Sequence, residues 1–202
     1  MDPSSSRTVV DHESAAGPTL LEVRGSLIVS SLQTLRELAL FPRYIAHLPA
    51  AQHERVLYAL ASSWLPCEVA LAHYGACDAM ELSEKELQAM GEHVAQRILG
   101  TFLATVLKGT RVIGANMRPL AAFQHYPRLW DRLLRGGGCT VCQTGPKDAT
   151  IESRGVPMFG YRYFRFAYMH LIRGAGLLFG DTIYTRALRT SQTSMKIGVS
   201  WV

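Results

Sequence analysis

Met195, Ile197, Val199 and Trp201 alternate with Lys196, Gly198 and Ser200. A repeat of two is the signature of a strand with one buried face. Just before it, Thr182 to Arg189 reads as a partner strand, with the turn at Ser191-Gln192-Thr193. An earlier hairpin has the same design: Cys139 to Thr144, a turn at Gly145-Pro146-Lys147-Asp148, then Ala149 to Ser153. Between the hairpins, past breaks at Gly155 and Pro157, the apolar spacing changes from two to helical. From Phe159 onward Tyr161, Phe164, Tyr168, Leu171, Ile172 and Ala175 fall on one stripe, with Arg162, Arg165 and Arg173 away from it on a solvent face. Gly174, Gly176 and Gly180 close that helix. The stretch 138–202 therefore reads strand, strand, helix, strand, strand: a four-stranded antiparallel sheet with one face covered by the helix.

Four short strands cannot supply a whole core, and the preceding residues provide a second layer. After an extended lead-in from Leu20 to Ser26, Leu27, Ile28, Leu32, Leu35, Leu38 and Ala39 have helical spacing, stopped at Phe41-Pro42. Pro49 opens a further helix through Val56, Leu57 and Leu60, broken at Trp64-Leu65-Pro66, and a weaker apolar segment runs from Glu68 to Tyr74. The strongest helix signal is Ser83 to Lys108. Ser83-Glu84-Lys85-Glu86 is a capping box, in which the serine oxygen accepts from a backbone N–H and Glu86 reaches back to the cap. Leu87, Met90, Val94, Ile98, Phe102 and Thr105 follow as one stripe before Gly109, along a helix ~38 Å long. Pro119 opens the last helix, with Leu120, Phe123, Leu129, Trp130 and Leu133 apolar and a bend at Pro127. Gly136-Gly137-Gly138 ends it. The fold class is α/β in the α+β sense: residues 1–18 a disordered tail, then a single domain over 19–202, helical over 19–137 and sheet over 138–202.

At 202 residues, 48% hydrophobic and 18% charged, the chain has the make-up of an ordinary soluble domain. The net charge of +5 is scattered rather than run together, which describes a solvated surface. Arg162, Arg165, Arg173, Arg186 and Arg189 would be the phosphate contacts of a nucleic-acid binder, but no helix-turn-helix or RNA-binding signature accompanies them, so no nucleic-acid partner is expected. Met1 to Ser14 lacks the apolar run of a secretory signal, and the longest apolar run, Ile98 to Leu107, is half a membrane span. The expected location is cytoplasmic and reducing, where the four cysteines need not be paired.

Several segments carry a resemblance: Val23-Arg24-Gly25-Ser26 with its Leu-rich helix, His125-Tyr-Pro-Arg-Leu-Trp-Asp-Arg-Leu133 before the glycine run, Thr144-Gly-Pro-Lys-Asp-Ala149, Gly155-Val-Pro157 and the closing strand with Trp201. Together they resemble a paralogous protein family of myxobacteria, over nearly the whole chain after the tail. In the order of its elements that family is similar to haem–nitric-oxide-binding domains, to four-vinyl-reductase-type domains and to TRAPP subunits of the Bet3 type. The resemblance implies a sensing, binding or scaffolding role, and it carries over no catalytic residue.

The chemistry available from the residues is limited. No Ser-His-Asp set or carboxylate pair is arranged for catalysis, and Gly136-Gly137-Gly138 precedes a strand rather than the helix a phosphate loop requires. Cys139 and Cys142 have the spacing of a redox or zinc pair, yet on a strand residues three apart point to opposite faces. Cys67, His73 and Cys77 are zinc-type ligands without a ligand-knuckle spacing. A haem would need a helical histidine, for which His93, His125 and His170 are candidates, and the resemblance to haem–nitric-oxide sensors implies a Tyr-x-Ser-x-Arg motif for the propionates. Here Tyr161-Arg-Tyr-Phe-Arg165 keeps the outer pair and puts tyrosine where serine belongs. Tyr126, Trp130, Tyr161, Phe164 and Tyr168 are the aromatics expected to line a pocket if the last helix packs near Trp130. The expected role is a non-enzymatic sensor for a small, largely apolar molecule, coupled to a protein partner or homodimer. The alternative is a dimerising scaffold without a ligand, and a haem-based gas sensor stands third.

Overall fold

The computed structural model describes residues 7–13, 19–109, 120, 123, 126–177 and 182–202, with backbone alone for 7–13 and 101–109. Among them are seven helices: α1 Gly25–Glu37, α2 Phe41–His47, α3 His53–Leu57, α4 Cys67–Asp78, α5 Glu84–Gly109, α6 Tyr126–Leu133 and α7 Arg162–Leu177. The strands are β1 Arg7–Glu13, β2 Glu22–Arg24, β3 Trp64–Pro66, β4 Leu134–Arg135, β5 Gly138–Gly145, β6 Asp148–Arg154, β7 Ile183–Thr190 and β8 Met195–Trp201. Helices come first and the antiparallel sheet last, as the patterning requires. Phe102, Thr105, Pro119 and His125 are sequence candidates whose side chains or positions lie outside the described residues.

The main sheet runs β1-β5-β6-β8-β7, every pair antiparallel. It has five strands rather than four. The extra one, β1, comes from the stretch read as a disordered tail: Arg7–Glu13 pairs with β5 from Arg7↔Gln143 to Glu13↔Gly138. Its backbone groups are satisfied by the edge of a distant strand, a partner that no local pattern announces. β8 pairs with β6, so the most regularly alternating strand lies inside and β7 at the rim. Val141, Ile151 and Ile197 sit opposite one another across three strands, all fully buried.

A second, three-stranded sheet, β3-β2-β4, joins the helical layer to the start of the main sheet. Trp64-Leu65-Pro66 thus forms a strand opposite Glu22–Arg24 instead of merely breaking a helix. Pro127 is the second residue of α6, and the bend expected there turns on positions 124 and 125, which lie outside the described residues.

The capping box forms as expected. The Ser83 backbone N–H donates to the Glu86 carboxylate at 2.8 Å, and the Glu86 N–H donates to Ser83 Oγ at 3.4 Å. The Ser83 hydroxyl, 2.7 Å from the same carboxylate, and the Ser83 N–H hold the Glu86 carboxyl below its ordinary pKa. From there α5 runs alongside α7, and the two approach closely where glycine removes a side chain. A Cβ on Gly91 would lie 2.8 Å from the His170 ring, and one on Gly174 would lie 2.6 Å from Leu99 Cδ1. The arginines of α7 lie on its outer side, exposed or half-buried, and each is anchored there. Arg165 donates to the carbonyls of Phe159 and Gly160 at 2.7 and 3.1 Å, Arg162 to that of Leu82 at 3.0 Å, and Arg173 faces Glu92 at 3.5 Å. Among the described residues no helix is long and apolar enough to cross a membrane.

Candidate functional site

Where α6 meets α5 and α7 the packing leaves a cavity of about 40 Å³. A single water needs ~10–15 Å³ measured this way, so the space takes a ligand of a few heavy atoms. Two helical pairs spaced by four supply its aromatic wall: Tyr126 and Trp130 on α6, Phe164 and Tyr168 on α7. Leu27 of α1, Tyr74 of α4, and Val94 and Ile98 of α5 close the opposite side. Leu129, Leu133, Leu134, Ala167 and Leu171 complete it. The lining is almost wholly hydrocarbon and aromatic carbon, a surface that leaves water with no partners.

The rings are held in place by contacts on their far sides. Tyr126 and Trp130 meet edge-on at 6.3 Å, and Phe164 is stacked on Tyr168 at 6.0 Å. Trp130 Nε1–H donates to the Gly136 carbonyl at 3.2 Å. The Tyr126 and Tyr168 hydroxyls are bonded to each other, and Tyr168 Oη is 2.5 Å from Ser153 Oγ on β6. Burial pushes both phenols well above the usual tyrosine range, so they stay protonated. The wall of the cavity is thereby tied by hydroxyl groups to the middle strand of the main sheet.

Tyr161, the fifth aromatic expected here, is not in the wall. It lies ahead of α7 in extended backbone, with its hydroxyl end over Gly75 of α4. Conversely, Tyr74 lines the cavity from a segment whose apolar pattern is weak, and nothing in the local sequence announces Ser153. Val94, Ile98, Leu27 and Leu171 belong to stripes read as core.

The other sequence candidates fall apart in space. Cys139 is buried, Cys142 half-buried, and none of the four cysteines is in a disulfide. Among the described residues no three His, Cys, Asp or Glu side chains gather into a metal-binding group. Cys67 lies 4.0 Å from Met158 Sδ, away from the pair His73 and Cys77. His73 is fully buried, with Nδ1 2.8 Å from the Tyr44 hydroxyl and Nε2 3.8 Å from Cys77 Sγ. Burial depresses its pKa from 6.5 to about 3 and raises the Cys77 thiol, so both are neutral. His93 faces Glu37 at the surface, and His170 Nδ1 is bonded to the Phe166 carbonyl at 2.9 Å.

No family model matches the chain, and no curated protein matches it. Solved structures of H-NOX domains do. One from a study of haem distortion in the H-NOX family superimposes with a TM-score of 0.57 at 11% identity, covering 88% of this chain and 94% of that one. An oxygen-binding H-NOX domain related to soluble guanylate cyclases, in its oxygen complex, gives 0.55 at 10% identity, with 88% and 94% covered. A point mutant of the T. tengcongensis H-NOX gives 0.53 at 10%, with 88% and 97% covered. The likeness establishes that the chain has an H-NOX-like fold.

The aromatic-walled cavity does not fit a haem. Ligands of that size occupy pockets of ~300–1,000 Å³, and the cavity of about 40 Å³ is an order of magnitude smaller. The rings of Tyr126, Trp130, Phe164 and Tyr168 take up the room. No described histidine lines it, and the altered motif is spent elsewhere: Tyr163 Oη lies 3.0 Å from Ser31 Oγ, and Arg165 holds backbone carbonyls.

Proposed function

We propose that this chain is a non-enzymatic binding module that senses a small apolar molecule and passes its occupancy to a protein partner or a second copy of itself. The observation that carries this reading is the aromatic-walled cavity at the seam between the first helices and the helix that covers the sheet. An occupant pressing on Tyr168 acts on Ser153, and through it on β6, the middle strand of five. Binding energy that differs between two packings of this seam is what a sensor needs to shift a population. The same fold in an oxygen-binding H-NOX domain serves a small apolar ligand, and here the ligand is bound without a haem.

Xenon and benzene are the probes. The expected result is a saturable xenon site in solution, seen by ¹²⁹Xe NMR, and a benzene-dependent rise in Tm. Ala167→Leu, which fills the cavity, abolishes both, whereas Leu171→Ala enlarges it and strengthens benzene binding. Xenon uptake that is non-saturable in the wild type, or unchanged in both folded variants, refutes the reading.

A further inference from the structure

We infer that the outer edge of β7 is a docking site for an extended segment of a partner protein, one with acidic side chains along one face, which adds to the sheet as a further strand. This names the surface and the class of partner for the module proposed above; it rests on that reading for what docking reports, and on β7 alone for docking itself. β7 is eight residues long, yet α7 covers only its beginning. Ile183, the strand's one buried residue, packs where Gly176 lacks a side chain: a Cβ there would lie 3.0 Å from Ile183 Cγ1. From Tyr184 to Thr190 every residue but Thr185 is exposed, and among the described residues β8 alone pairs with the strand. Tyr184 is 61% exposed and Leu188 44%, large apolar surface beside an open backbone edge.

The register gives this edge its chemistry. Arg186 stands opposite Gly198 and Arg189 opposite Lys196, because the pairing slips between Ala187 and Arg189. Gly198 and Lys196 are two apart and share a face, so the slip turns two arginines spaced by three onto that same face. Tyr184, opposite Ser200, is on it too, and a Cβ on Gly198 would lie 3.3 Å from Leu188 Cδ1. One side of the rim therefore presents Tyr184, Arg186, Leu188 and Arg189 in succession. Lys196 beside them is paired with Glu152 at 3.6 Å, whereas among the described residues no carboxylate pairs with Arg186 or Arg189. An edge strand offers its outward N–H and C=O groups to an added strand, and side chains that meet across the new pair attract when their charges are opposite. A second copy of β7 would bring its own arginines onto the same face and is repelled. A segment with Asp or Glu at alternate positions is attracted, and Tyr184 and Leu188 supply apolar contact on either side of Arg186.

Fluorescence anisotropy of a short labelled peptide of alternating Glu and Val, titrated with the full chain, tests this. The peptide is expected to bind saturably and about tenfold more tightly than its counterpart of alternating Lys and Val, a difference made by the cross-strand charge pairs. Arg186→Glu combined with Arg189→Glu, both at exposed positions, reverses the preference, and the acidic peptide with a fully N-methylated backbone does not bind. Overturning results are an acidic peptide that fails to bind, equal binding of the two peptides, a preference unchanged in the folded double variant, or binding that survives N-methylation. Any of these with xenon uptake intact overturns the docking site and leaves the cavity reading standing. Peptide binding of the expected kind in a protein without a saturable xenon site overturns the cavity reading instead.

Discussion

Acid sensitivity has an identifiable source in His73. The side chain has no exposed surface, its Nδ1 is engaged by Tyr44, and burial holds its pKa near 3 against 6.5 in the free residue. Above pH 6.5 the imidazole is neutral in both folded and unfolded chains, so stability is at its full value. Below it the unfolded chain takes up a proton that the folded chain refuses until pH 3, and stability falls by about 1.36 kcal/mol per pH unit. At pH 5 the loss is about 2 kcal/mol, and over the whole window about 5 kcal/mol. Native domains commonly have ~5–15 kcal/mol in all, so the loss at pH 5 is measurable before collapse. Urea unfolding at pH 7.5 and 5.0 measures it. Wild type should lose about 2 kcal/mol between the two pH values beyond what His73→Gln loses, roughly 1 M in midpoint at a slope near ~2 kcal/mol/M. The remaining histidines are common to both proteins and cancel. Equal pH dependence in the two proteins would refute the assignment.

Two further expectations concern α5. Gly100→Ala places a methyl where no described atom stands within 4 Å and should stabilise by about 1 kcal/mol, whereas Gly91→Ala drives a methyl into the His170 ring at 2.8 Å and should destabilise by about 1 kcal/mol despite the same helix-propensity gain. Thermal unfolding of both separates close packing from propensity, and shifts of the same sign would contradict the described helix contact. Ser83→Ala removes the N-cap oxygen and its bond with Glu86, and should cost ~0.5–2 kcal/mol in the same assay.

The elements readable in the sequence are those whose signals are local. The alternation over Met195–Trp201 corresponds to a strand that is buried at every second residue, and Ser83 with Glu86 marks a helix start directly. What escapes reading depends on distant partners. Arg7–Glu13 looks like tail because its pairing is supplied by β5, more than a hundred residues on. The strands of the small sheet, two or three residues each, are shorter than any periodicity can register. Four of five expected aromatics share one cavity because each pair is spaced by four on a helix. Extending α7 backwards puts Tyr161 with them, whereas its backbone is extended, at φ −91° and ψ 129°. The Tyr126–Tyr168–Ser153 chain is tertiary throughout, and no spacing along the sequence encodes it.

The rim position of β7 bears on how the protein remains dispersed. Among the described residues no further strand pairs with its outer edge, and Tyr184 and Leu188 are exposed on it. Such an edge templates the addition of further strands, the first step towards fibrils. Two features of β7 oppose that: Arg186 and Arg189 place cations along the strand, and a register shift between Ala187 and Arg189 makes its edge irregular. At the other rim β1 shields β5. The β7 margin is thus guarded against self-templating by charge and irregularity, whereas at the other margin the edge strand is β1 itself.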